Sequence, residues 1–107
     1  MEMLTLTEGA ERMGIGPTGV RDLVRSGQLL SMPTDDGVRV PGEQLDGDKL
    51  VKHLVPVLTL LRDAGYTDEE ALRWLTTHDD TLPGTPLQAL HENRATEIKR
   101  RAQALGF

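Results

Sequence analysis

Gly14, Gly16 and Gly19, in the stretch GIGPTG, fit the spacing G-x-G-x-x-G. In dinucleotide-binding proteins that spacing lets a tight turn bring backbone amides against a pyrophosphate. Asp35 and Asp36 lie roughly twenty residues further on, where such proteins keep the carboxylate that holds a ribose. Other residues with chemical potential are sparse. His78-Asp79-Asp80 has the order of a metal-dependent phosphohydrolase fragment, yet the remaining imidazoles, His53 and His91, have no ligand partner at useful spacing. With no cysteine there is no thiol nucleophile, and the serines offer no Ser/His/Asp arrangement. No catalytic residue, metal or cofactor is therefore expected, and the chemistry left to the glycine loop is contact with a phosphate.

The elements around the loop decide whose phosphate that is. A dinucleotide fold needs a buried strand running into the first glycine, together with a sheet and flanking helices for which 107 residues are too few. Upstream lies TEGAERM instead: Thr7 can N-cap a short helix with Ala10 and Met13 on its inner face, and Gly14 stops it. Downstream, Pro17 suits a first helical turn, where its missing N–H is not needed, and Val20, Leu23 and Val24 recur at helical spacing as far as Ser26-Gly27. The unit is helix, turn, helix, with Ile15 in the turn expected to pack between the helices. Next, in QLLSMPTDDGVRVPGEQL, short apolar runs flank Asp36-Gly37, a strong hairpin dipeptide. The reading is a two-stranded wing over residues 29–41, with Leu29, Leu30 and Met32 on one strand, Val38 and Val40 on the other, and Pro41 ending it.

A helix-turn-helix with a hairpin wing places its second helix, here about residues 17–26, in the major groove of DNA. If Val20, Leu23 and Val24 face inward, then Thr18, Gly19, Arg21, Asp22 and Arg25 face the duplex. Arg21 is the residue to read guanine, and Gly16, Pro17 and Thr18 sit where free amides can receive a backbone phosphate. Arg39 on the wing, with Lys49 and Lys52 beyond it, would add backbone contacts. Charge opposes this reading in bulk. The chain carries a net charge of −5, and residues 1–45 hold four arginines against seven acids, so a single copy should bind weakly and with strong salt dependence. A second basic cluster, Arg94, Lys99, Arg100 and Arg101, could extend the footprint or offset the dipole of its own helix.

From Leu50 the chain becomes apolar, with 37% hydrophobic residues overall and no run long enough for a membrane span. Without a signal-like N-terminus, a cytoplasmic and nucleoid-associated protein is expected. Pro56 lies in the first turn of a helix ending at Gly65. Thr67-Asp68-Glu69-Glu70 is a capping box for a helix carrying Ala71, Leu72, Trp74 and Leu75. Thr85-Pro86-Leu87-Gln88 repeats the device for one last helix running to about Leu105. Trp74 is expected in the core. The fold class is thus mainly α: a winged helix-turn-helix at 1–48 with a small two-stranded wing, and a C-terminal helical bundle at 49–107 packed on it for self-association, as in a homodimer, or contact with a protein partner.

LTEGAERMGIGPTGVRDLVRSGQLLSMPTDDGVRVP is similar to the winged helix-turn-helix of excisionase and MerR-type regulators. Together with LVKHLVPVLTLLRDAGYTDEEALRWL and TEIKRRAQALGF, it resembles over nearly the whole chain a small actinobacterial DNA-binding family whose mycobacterial member is a substrate of Ser/Thr protein kinase L. That resemblance implies a non-enzymatic binder of double-stranded DNA with a regulatory role. The phosphoacceptor of that member lies in an N-terminal tail, which this chain, starting at Met1 just before the first helix, is expected to lack. RWLTTHDDTLPGTPLQAL also resembles the toxin-binding domain of Xre/MbcA/ParS-type antitoxins, through Trp74, Leu75, Leu82, Gly84, Pro86 and Leu90. This second resemblance implies capture of a toxin, with Trp74, Leu82, Pro86 and Leu90 as contact residues. Transcriptional regulation is the leading expectation, antitoxin activity the second, and an excisionase-like architectural role the third.

Overall fold

The first helix of the computed structural model, which describes residues 2–106, starts two residues before the position that Thr7 suggested. Thr5 is the cap of α1 (Leu6–Met13): its hydroxyl accepts from the Glu8 amide while the Glu8 carboxylate accepts from the Thr5 amide, a reciprocal pair that Thr7 could not form. α1 ends as expected at Gly14, whose φ of 69° an L-side chain adopts only with strain, and the Ile15 amide closes the turn on Ala10 O. Helix α2 (Pro17–Arg25) follows directly.

The chain folds as two compact units, Met1–Leu50 and Val51–Phe107. In the first unit, β2 (Met32–Thr34) and β3 (Gly37–Pro41) form the wing, antiparallel in the register Met32 to Arg39, Pro33 to Val38 and Thr34 to Gly37. The loop residues are therefore Asp35 and Asp36, and Gly37 opens β3 instead of turning the chain. Leu29 and Leu30 are fully buried but lie outside the strand. Leu30 cannot join a ladder because the side chain of Gln44 takes both its backbone groups: Gln44 Oε1 accepts from Leu30 N at 2.8 Å, and Gln44 Nε2 donates to Leu30 O at 2.9 Å and to Pro41 O at 3.1 Å. Gln44, in a short 3-10 turn after β3, is fully buried and ties the segment entering the wing to the residue leaving it.

The wing also gains a strand the sequence did not suggest. β1 (Met3–Leu4) pairs with β3, giving the order β1-β3-β2. A second small hairpin joins β4 (Leu45–Asp46) to β5 (Lys49–Leu50). Ala10, Val20, Leu29 and Val40 form the core of the unit, with Leu6, Leu23, Val24 and Leu50 packed against it, so α1, α2 and the wing share one apolar centre.

The second unit is helical. α3 (Leu54–Asp63) buries Leu54, Val57, Leu58 and Leu61, and packs on α4 (Asp68–Thr76) and α6 (Ala95–Ala104). α5 (Pro86–His91) packs on α4 and α6. Both expected capping boxes form, Thr67 with Glu70 and Thr85 with Gln88. The single last helix expected to run to Leu105 is two helices. Asn93 adopts a φ of 61°, and the Arg94 amide folds back onto Ala89 O, so the chain turns after α5 and restarts at Ala95.

Candidate nucleic-acid interface

α2 buries Val20 completely and Leu23 and Val24 in part, which leaves Thr18, Arg21, Asp22 and Arg25 exposed. Among the described residues Arg21 has no carboxylate within ion-pair distance. Arg25 does: its Nη1 lies 3.8 Å from Asp22 Oδ1, both side chains being mostly exposed. At that distance and exposure the pair adds little stability, so Arg25 can leave Asp22 at small cost.

Gly16 caps α2 without a side chain, and Pro17 occupies its first position. The amides of Gly16 and Thr18 have no acceptor among the described residues, and they lie at the positive end of the helix dipole. At Gly16 φ is −76° and nothing lies within 4 Å of where a Cβ would stand, so neither conformation nor packing demands glycine there. Gly19 is different. A Cβ there would stand 3.1 Å from Ile15 Cδ1, so the missing side chain lets Ile15 lie against α2. Ile15 does not fill the space between the helices; it is 40% exposed just before the start of α2.

On the wing, Arg39 is half-buried, and its Nη1 donates to Val38 O at 3.0 Å instead of reaching outward. Its charge helps hold the Glu8 carboxyl below the usual range, after the larger effect of the backbone and side-chain bonds from Thr5. The wing presents two large apolar side chains, Val38 at 49% exposure and Met32 at 36%, on either side of the exposed Thr34, Asp35 and Asp36. Sequence reasoning placed both on the wing strands without giving them a role at the surface. The available signal was their nearness to the Asp35-Asp36 loop, where a short hairpin runs beyond its core. Lys49 is exposed on β5 opposite Asp46, whereas Lys52 belongs to the second unit.

The basic end of the chain is largely committed to structure. Arg94 pairs with Glu97 at 3.0 Å and Glu92 at 3.6 Å, and Arg101 with Glu97 at 3.0 Å and Asp79 at 3.1 Å. The paired guanidinium groups hold the Glu97 carboxyl below its usual range. Lys99 Nζ meets His53 Nδ1 at 2.8 Å, leaving Arg100 as an exposed cation on α6. His78-Asp79-Asp80 forms a turn in which Asp79 accepts from the Thr81 amide and hydroxyl and from Arg101. Of the residues matched to a toxin-binding pattern, Leu82, Pro86 and Leu90 are buried within the second unit, while Trp74, expected in the core, is half-buried at its surface.

A helix-turn-helix whose second helix presents Arg21 and Arg25, followed by a hairpin wing, defines a winged helix-turn-helix protein with a helical second unit. The family model for the winged helix-turn-helix domain of DNA-binding protein Rv2175c matches residues 1–45, and that for the Rv2175c C-terminal domain of unknown function matches residues 51–106. The chain belongs to the Rv2175c family. It is 35% identical to DNA-binding protein Rv2175c of Mycobacterium tuberculosis over 111 residues, which cover 92% of this chain and 76% of that protein. Its structure is similar to the NMR structure of Rv2175c, with a TM-score of 0.89 and 33% identity over 99% of this chain and 82% of that one. No helix among the described residues is long and apolar enough to cross a membrane.

Proposed function

We infer that this protein binds double-stranded DNA with sequence preference, through α2 in the major groove and the wing beside it, and that it acts as a transcriptional regulator. Arg21 carries the reading. It is an exposed guanidinium on the outer face of α2, with no carboxylate to satisfy it among the described residues, and a guanidinium so placed can make the bidentate contact to guanine O6 and N7. Gly16 supports it: a glycine required by neither φ nor packing leaves room for a phosphate to approach the Gly16 and Thr18 amides. The name of the relative, DNA-binding protein Rv2175c, points the same way.

The acidic net charge already counts every lysine and arginine, so binding depends on where the charges sit. α2 itself carries Arg21 and Arg25 against one acid, Asp22, and Glu2 is paired with Arg12 at 2.9 Å, so the charge of the α2 face differs from that of the whole chain. Affinity from one copy should still be modest and fall steeply with salt. Fluorescence-anisotropy titration against selected and random duplexes at two salt concentrations tests the function. Arg21→Ala should weaken the selected duplex by about 1–3 kcal/mol and leave the random one nearly unchanged. Equal loss on both duplexes would remove α2 as the reading helix, and no binding at low salt would remove the function.

A further inference from the structure

Two of the chain's three aromatic residues, Tyr66 and Trp74, line one cavity in the second unit. It has a volume of about 550 Å³ and lies against α4, the turn after it and the start of α5. A helical unit this small usually spends its tryptophan on the core, yet Trp74 is half-buried here and the core is built from leucine, valine, isoleucine and alanine.

The charges around the rings are unequal. Glu70, Asp79, Asp80 and Arg73 also line the cavity. Asp79 is neutralised by Arg101, and Arg73 is neutralised by Glu69, whose carboxylate lies 3.3 Å away. Glu70 spends one oxygen on the Thr67 amide and keeps the other, and Asp80 has no hydrogen-bond or ion-pair partner among the described residues. The cavity therefore offers two aromatic rings and two carboxylates that form no ion pair among the described residues, with the Arg73 charge acting on Glu70 only from beyond ion-pair distance. A cation above a ring and beside a carboxylate satisfies both.

We propose that this cavity is a docking site for an arginine side chain presented by a partner polypeptide. Arginine fits better than a quaternary ammonium, which has no N–H to give Glu70 and Asp80, and better than lysine, whose compact ammonium neither stacks on a ring nor forks onto a carboxylate. A polypeptide fits better than a free guanidinium compound because the cavity, within the roughly 300–1,000 Å³ that accepts drug-sized ligands, leaves room for the residues flanking one side chain. The site is distinct from the α2 face and does not depend on DNA binding.

Trp74 is the only tryptophan, so its fluorescence reports the cavity directly in the full chain. The titrants are acetyl-Gly-Arg-Gly-amide, the same tripeptide with the neutral isostere citrulline, and Nα-acetylarginine amide. The arginine tripeptide should give a saturable change at least about tenfold tighter than the citrulline one, and tighter than acetylarginine amide. Glu70→Gln combined with Asp80→Asn should erase the arginine preference. Glutamine at position 70 can still serve the capping box, as Gln88 does in α5, and an unchanged thermal melt would show that the fold is kept. Equal response to arginine and citrulline, or full preference retained in the double variant, would overturn the cation site. Equal affinity for the tripeptide and acetylarginine amide would overturn the polypeptide partner.

Discussion

Replacing Gln44 with leucine, a side chain of similar size, should destabilise the winged unit far more than its one-residue scope suggests. Gln44 is fully buried and makes three hydrogen bonds, two to Leu30 and one to Pro41 O. In Gln44→Leu the Leu30 N–H and C=O lose the partner they have, in a segment that belongs to no strand and where Leu30 is itself buried. Each buried backbone group left unpaired costs about 1–3 kcal/mol, and the third bond adds about 1 kcal/mol. Leucine returns about 1–3 kcal/mol because no side-chain amide need be desolvated. The expected net loss is about 3 kcal/mol, against a total stability of about 5–15 kcal/mol for a domain. Urea unfolding followed by far-UV circular dichroism would read this as a midpoint lowered by more than about 1 M, given slopes of about 1–3 kcal/mol per M for small proteins. Trp74 fluorescence follows the second unit separately. A midpoint within about 0.3 M of the parent protein would refute the reasoning, because it would mean that Leu30 finds water or another donor and acceptor at little cost.

Asp22→Asn frees Arg25 from its partner 3.8 Å away and removes a negative charge from the α2 face; binding to random duplex should tighten and the salt slope steepen, measured by anisotropy across a salt series. Arg39→Ala should cost selected and random DNA alike and lower the salt slope by about one if the side chain swings out to a phosphate; no change in slope would show that it stays bound to Val38 O. Gly84→Ala should lower thermal stability by about 1–3 kcal/mol, because φ is 135° there and a Cβ would collide with Gln88 Oε1, which accepts from the Thr85 amide; an unchanged melting temperature would contradict it. Acid should destabilise the fold in a defined direction. The carboxyls of Glu8 and Glu70 are held low by their capping threonines, that of Asp79 by Thr81, and that of Glu97 by Arg94 and Arg101. A carboxyl lowered in the folded state contributes stability above its unfolded value and loses it as pH falls toward the folded one, so melting temperature should decline from about pH 5 downward and stay level from about pH 5 to 7. Glu97→Gln should flatten part of that decline in a calorimetric pH series.

Local signals sufficed wherever a few adjacent residues decide the backbone. The stop at Gly14, the start at Pro17, the capping boxes at Thr67 and Thr85 and the wing around Asp35 to Gly37 all rest on bonds or dihedrals spanning four residues or fewer. The helix-turn-helix order and the outward Arg21 followed from the same local logic, since the spacing of Val20, Leu23 and Val24 leaves Arg21 no inward position. Thr5 and Asn93 were legible too, as a capping box and a left-handed helix stop, but stronger neighbouring signals at Thr7 and Leu105 obscured them. Tertiary structure alone decided the rest. Only folding brings Gln44 to Leu30, fourteen positions away in the chain, and turns an apolar run into a buried segment that is not a strand. Only folding pairs Arg101 with Asp79, which converts a basic tail into an internal brace, and only folding sets Tyr66 beside Trp74 at one cavity. Helix caps and turns are short-range minima that a sequence determines by itself; partners for buried amides, charges and rings are chosen among residues far apart along the chain, and only the packed chain brings them within a few ångströms.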